Sequence, residues 1–207
     1  MRKKLLFWLV GMIVVALPAF ALAEVTEEDM EKMVTERYFE GAYNYYQEGF
    51  YDMAVRFYNI VLERDPNHAK ALYWLARLYQ ELGLYREALS MWKRLAEVQP
   101  GNKVAQYFIK VCQGVIEQGK EPFELYERAY LFYSRGEKRK ALTLYEKSCA
   151  LNPSFQKAFL WAGRVALELG LREKAEWYLE RALELDKEDK VAIYLLKQLR
   201  RSKDGGN

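Results

Sequence analysis

The residues able to do chemistry are few. His68 is the single histidine, placed just after Pro66 and Asn67. No nucleophile, base or acid stands near it at motif spacing, so it reads as a solvated turn residue. The two cysteines, Cys112 and Cys149, fit no zinc pattern. An oxidising compartment would permit a disulfide between them; otherwise they read as small buried apolar residues. The chain carries no glycine-rich phosphate loop, no HExxH and no CxxC. Its acidic residues alternate with Lys and Arg at helical spacing, as solvated ion-pair faces do. The expectation is a non-enzyme with no cofactor and no metal. What the chain offers instead is recognition chemistry: 16 Tyr, 10 Phe and 5 Trp. Tyr, Trp and Arg are the residues enriched at binding hot spots.

Such residues need a scaffold, and the composition points to helices. The 207 residues are 51% hydrophobic and 29% charged, a folding mixture, with only 5 Pro and 12 Gly. The first 23 residues read differently. Arg2, Lys3 and Lys4 precede an apolar run from Leu5 to Leu17, which Pro18 breaks, and Ala21-Leu22-Ala23 offers small residues for cleavage. This predicts a secretory signal over 1–23 with Glu24 as the mature start. The alternative is an uncleaved anchor, since 5–23 is just long enough to span a bilayer. No Cys follows the run, which excludes a lipoprotein. Arg2, Lys3 and Lys4 also account for the whole excess of Lys+Arg (32) over Asp+Glu (29). The remaining chain is balanced and gives no support for nucleic-acid or acidic-lipid binding.

An internal period sets the architecture. "KALYWLARLYQELGLYREAL" from Lys70 and "KAFLWAGRVALELGLREKAE" from Lys157 match in register, and Pro66 and Pro100 lie 34 residues apart. Counting repeats from 35, 69, 122 and 156, small residues recur at Ala42, Ala76, Ala129 and Gly163 and again at Ala54, Ala88, Ala141 and Ala175. Glycines recur at Gly49, Gly83, Gly136 and Gly170; bulky residues recur at Tyr58, Trp92, Tyr145 and Leu179. This pattern resembles the tetratricopeptide repeat (TPR). The resemblance implies an all-α, TPR-like α-solenoid of antiparallel helix pairs, about ten helices in all. Thr26 and Asp29 form a capping-box pattern that places the first helix start near Glu27.

The offset of 87 residues between the two matching stretches is not a multiple of 34. An extra segment, Lys103 to Glu121, separates repeats two and three. It predicts a lone inserted helix over 103–118 with an apolar stripe of Val104, Tyr107, Phe108, Val111, Cys112, Val115 and Ile116, rotated relative to a repeat helix. The chain then reads as two modules. The first, 24–118, holds repeats 35–68 and 69–102 plus the 103–118 helix. The second, 122–202, holds repeats 122–155 and 156–189 plus a capping helix over 190–202. Ala192, Ile193 and Leu196 of that helix should face inward, and Lys197 and Arg200 should face water. A disordered tail follows over 203–207. One continuous superhelix containing a half-repeat is the equal alternative.

The resemblance also implies a concave groove lined from the first helix of each repeat. It assigns there Phe39, Tyr43 and Tyr46; Tyr73, Trp74 and Arg77; Tyr126, Tyr130 and Tyr133; and Trp161 and Arg164, with Lys70, Gln80, Lys157 and Glu168 beside them. The Lys/Asn pattern with which some TPR domains clamp a peptide carboxylate is missing. Arg77 and Arg164 remain able to meet an acidic group. The expected function is a non-catalytic interaction scaffold of the cell envelope, exported to the periplasm, which binds a protein or peptide segment of an envelope protein. The alternative is a membrane-anchored assembly factor resembling the TPR subunits of cytochrome c maturation, pilus or secretion machines, at the inner membrane and facing the periplasm. Self-association through helix 103–118 is a third option.

Overall fold

The computed structural model describes residues 26–204, and within them the chain is all-α, with ten helices and no strand. The expected signal (1–23) and residues 205–207 lie outside the described residues. The helices are α1 (Glu27–Gln47), α2 (Tyr51–Arg64), α3 (Ala69–Glu81), α4 (Tyr85–Val98), α5 (Lys103–Gln118), α6 (Lys120–Ser134), α7 (Lys138–Leu151), α8 (Gln156–Glu168), α9 (Arg172–Leu185) and α10 (Lys190–Asp204). The chain divides into two compact units, Met1–Ala71 and Leu72–Asn207.

In the first unit, α1 starts where its cap demands. Thr26 Oγ1 accepts from the Asp29 N–H at 3.1 Å, and Asp29 Oδ2 accepts from the Thr26 N–H at 3.1 Å. Two N-terminal donors that the helix cannot satisfy are thereby paired. Phe57 of α2 lies edge-on between Tyr38 and Tyr45, at 5.7 and 5.0 Å. It rests over Gly41, where a Cβ would sit 3.1 Å from its ring. His68 departs from the solvated turn residue expected. Its side chain is 10% exposed and its ring lies 5.2 Å from that of Phe39. Its Nδ1 accepts from the Ala71 N–H at 3.1 Å, so it caps the start of α3, where a backbone donor lacks a helical acceptor.

The second unit is built on close helix crossings. Gly163 of α8 meets Leu179 of α9 so tightly that a Cβ would lie 2.7 Å from Leu179 Cγ and 3.2 Å from its backbone nitrogen. The turn between paired helices also depends on glycine. Gly136 takes φ +80°, and its N–H and that of Glu137 donate to the carbonyls of Tyr133 and Phe132, at 2.9 Å each. This geometry satisfies the carbonyls that a helix end leaves open, and a side chain at that φ costs about 1 kcal/mol. Trp92 of α4 and Tyr145 of α7 are fully buried beneath the first helices of their pairs. Rings of this size bury roughly 150–250 Å², about 4–6 kcal/mol each as an upper bound.

The inserted helix, α5, buries a narrower stripe than its sequence suggests. Ala105, Cys112 and Val115 are buried, and Phe108 stacks on Trp92 at 4.8 Å, whereas Val104 and Tyr107 stay exposed. The reason is that α5 has a neighbour on the α4 side but no second helix of its own. Most of the stripe considered for self-association is therefore covered within the chain. The join to α6 is close-packed. Gly114 admits the Phe123 ring, which a Cβ would approach to 2.1 Å. Ser148 Oγ donates to the Pro122 carbonyl at 2.8 Å, and Asn152 Nδ2 donates to the Gln118 carbonyl at 3.0 Å. α5 and α6 belong to one compact unit.

The last helix runs two residues beyond 202, so Lys203 and Asp204 are helical rather than tail. Its buried face is Ala192, Leu196 and Leu199, while Ile193 is 45% exposed. Arg200 faces water, its side chain 57% exposed. It reaches back to Glu176 at 3.3 Å and Glu180 at 2.7 Å on α9. The helix is thus held by both an apolar edge and a charged clamp.

Gly163→Ala should test the crossing. Forcing one methyl against Leu179 should lower unfolding free energy by about 1–3 kcal/mol, despite the better helix propensity of alanine. Gly136→Ala meets no neighbouring atom and should cost only about 1 kcal/mol through its φ. Urea denaturation of both variants measures the difference.

Candidate interaction surface

The predicted recognition residues fall in both units. In the first unit, Phe39 is half-buried, tilted 5.9 Å from Tyr58, with Lys70 Nζ 5.8 Å from its ring centre. Tyr43 and Tyr46 pair at 6.5 Å, and Tyr46 lies 6.1 Å from Tyr51. These rings layer over Tyr58, whose hydroxyl is buried without a hydrogen-bond partner.

In the second unit, ring contacts among the described residues gather the predicted side chains into two clusters. The first surrounds Trp92. Tyr73 meets Trp74 and Trp92 edge-on, each at 5.4 Å, and the Trp92 indole donates to Gln80 Oε1 at 2.9 Å. Arg77 lies 3.8 Å from Glu81, one turn on.

The second cluster centres on Trp161 of α8. Tyr130 and Tyr133 of α6 meet its ring edge-on at 5.5 and 5.2 Å, and Tyr145 stacks beneath at 6.2 Å. Arg164 sits 5.0 Å above the Trp161 ring and 5.9 Å from that of Tyr133. Cation–π contacts of this kind hold a guanidinium in place without removing its outward donors. Trp161 is half-buried and Tyr130 is 46% exposed, so this cluster presents aromatic edges to solvent. Tyr126 turns inward instead. It packs 5.7 Å from Tyr145 and 5.0 Å from Phe155. Burial, and then the Glu127 charge, push its hydroxyl up to about 12.

A charged group edges the cluster. Glu168 accepts from the Tyr133 hydroxyl at 2.8 Å and pairs with Lys138 at 3.0 Å and Arg164 at 3.4 Å. Burial raises the Glu168 carboxyl, but Lys138, Tyr133 and Arg164 together outweigh it and hold the group below its ordinary value. Tyr145 is the other polar atom of note: its hydroxyl is buried without a partner and is driven upward, first by that burial.

The thiols are internal. Cys112 and Cys149 are free and buried, and burial raises them to about 11 and about 12. Among the described residues, no three or more His, Cys, Asp or Glu gather as a metal site, and no helix is long and apolar enough to cross a membrane.

Two family profiles, both described as tetratricopeptide repeat, match residues 45–109 and 126–190, together more than half of the chain. The chain belongs to the tetratricopeptide repeat family. The fold class is the all-α TPR class, and the chain is a TPR protein-interaction scaffold. Solved structures with similarity include MamA, at 26% identity over 74% of this chain and 92% of that chain, with a TM-score of 0.44. They also include YrrB, described as a TPR protein with an unusual peptide-binding site (21% identity, 84% and 96% covered, TM-score 0.44). A third is a thermophilic TPR protein of Thermus thermophilus (27% identity, 82% and 82% covered, TM-score 0.35). No curated protein matches.

The TPR positions do not pick out Lys138, Phe123, Phe155 or Glu127. Lys138 begins a second helix, so its reach to Glu168 depends on the crossing of α6, α7 and α8. Phe123 and Glu127 become notable only because α5 lies beside them, and no repeat rule places that helix.

Replacing Tyr145 by Phe removes a buried hydroxyl that has no partner. The variant should be about 1–3 kcal/mol more stable than the parent, because the lost group contributes desolvation cost and no bond. Tyr133→Phe, which deletes the bond to Glu168, should give no such gain. Thermal unfolding of the two side by side measures this. Both thiols should resist a disulfide reagent at pH 8 in the native state and react once the chain is unfolded.

Proposed function

We propose that this TPR chain is a non-catalytic scaffold of the cell envelope that holds a segment of a partner protein against its aromatic surface. The observation that carries the reading is the Trp161 cluster, where Tyr130, Tyr133 and Arg164 meet one indole. Aromatic edges fixed by packing lose little freedom on binding, and an anchored guanidinium adds a directional donor. Tyr73, Trp74 and Arg77 offer the same chemistry on α3. Export rests on the residue pattern of 1–23, with periplasmic location following from cleavage after Ala23. Retention of that segment would instead anchor the scaffold at the inner membrane as an assembly factor.

Tyr130→Ala combined with Arg77→Glu should lower partner capture from an envelope extract at least tenfold, with the unfolding midpoint nearly unchanged, since both side chains are substantially exposed. Undiminished capture rules out this surface. Mass spectrometry of the protein recovered from its native host separates the two locations: a chain beginning at Glu24 supports export, and one beginning at Met1 supports the anchor.

A further inference from the structure

A cleft opens beside the inserted helix. A cavity of about 680 Å³ lies between α5, the start of α6 and the start of α8. That volume is within the range of ligand-holding pockets. A full repeat would follow α5 with its own second helix; here the chain turns at Gly119 directly into α6. Phe123 and Tyr126 form one wall, with ring centres 6.4 Å apart and 28° between planes. Phe123 is held there by Gly114, the one residue type that leaves room for its ring. Glu127 and Glu117 place carboxyl groups in the same cavity, and Lys110 and Lys157 line it as well.

Glu127 is the telling group. It is half-buried, and burial raises its carboxyl above the ordinary value. It follows Tyr126 on α6 and lines the same cavity as Phe123 and Tyr126. A half-buried carboxylate that shares a cavity with two aromatic rings favours a cation, through an ion pair and cation–π attraction together.

We propose that the cleft seats a lysine or arginine side chain of the bound segment, paired with Glu127 and lying along Phe123 and Tyr126. This rests on the reading of the chain as a segment-binding scaffold and adds the residue class that the segment must carry. Lys110 and Lys157 then face the segment's carbonyl or acidic groups on either side of that anchor.

The test needs no partner. In the chain from Glu24 onward, the Glu127 carboxyl is followed by carbon NMR while N-acetyl-arginine methylamide or N-acetyl-glutamate methylamide is added. The arginine compound should shift the Glu127 and Gly114 signals and move the Glu127 titration midpoint down toward the ordinary carboxyl range. Glu127→Gln should weaken its binding at least tenfold, as expected for loss of a charge-assisted bond. The exchange is isosteric and removes no internal bond, so the fold should persist. An unmoved midpoint, an equal fall with the glutamate compound, or unchanged binding by Glu127→Gln overturns the proposal. Loss of capture by the Tyr130 and Arg77 variant is a separate result, so the cleft and the aromatic surface can fail independently.

Discussion

The closeness with which two helices can cross governs everything else in this chain. Gly163 under Leu179 shows the limit: there is no space for even one methyl group. Where the crossing is that tight, the helix pair can bury a large residue one turn away, and Trp92 and Tyr145 occupy that place fully. Small and large are thus parts of one constraint. The small residue sets the distance between axes, and the large one fills the wedge that the distance creates. Surface aromatics such as Trp161 are positioned by the same wedge, since Tyr145 stacks beneath it. The half-buried Trp161 and the buried Tyr145 therefore share one ring stack.

This constraint explains what could be read from the residues. The crossings at Ala42, Ala76, Ala129 and Gly163 and the turns at Gly49, Gly83, Gly136 and Gly170 recur because packing admits few alternatives. The four pairs were legible for that reason, as was the Thr26 cap, a local pattern confined to one turn. His68 was not legible. Nothing in its neighbours announces that the Ala71 N–H needs an acceptor, or that Phe39 lies 5.2 Å away, because both facts depend on how the chain returns after α2. Ile193 was misplaced for a related cause. In a terminal helix, apolar periodicity does not say which edge is covered; Arg200 faces water as expected and pairs there with Glu176 and Glu180.

The inserted helix shows where the repeat logic stops. The two family matches end at 109 and resume at 126, leaving out the second half of α5 and the beginning of α6. That interval holds Gly114, Gln118 and Phe123, the residues through which α5 and α6 join. The rotated stripe signalled that α5 is unlike a repeat helix. It did not reveal that Val104 and Tyr107 would stay in water while Phe108 found Trp92. A helix packed on α4 along one line and on α6 only near its end leaves the remaining apolar positions, Val104 and Tyr107, released from packing.

The polar ends of the buried aromatics carry the same lesson into energetics. Trp92 donates its indole N–H to Gln80, so its polar atom is matched inside the pair. Tyr58 and Tyr145 stand at the equivalent place in their repeats with hydroxyls that have no partner. At the position corresponding to Gln80, those repeats carry Tyr46 and Tyr133. Tyr133 directs its hydroxyl outward to Glu168 and leaves Tyr145 unmatched. An unpaired buried hydroxyl costs roughly 1–3 kcal/mol. A core selected only for stability would put phenylalanine there, or a partner such as Gln80. What the tyrosines bring is an outward-facing aromatic edge at Tyr133 above a second ring at Tyr145, a surface that Gln80 does not provide. The ring of Tyr145, not its hydroxyl, supports Trp161, so the core of the second unit and its aromatic surface are joined through ring stacking.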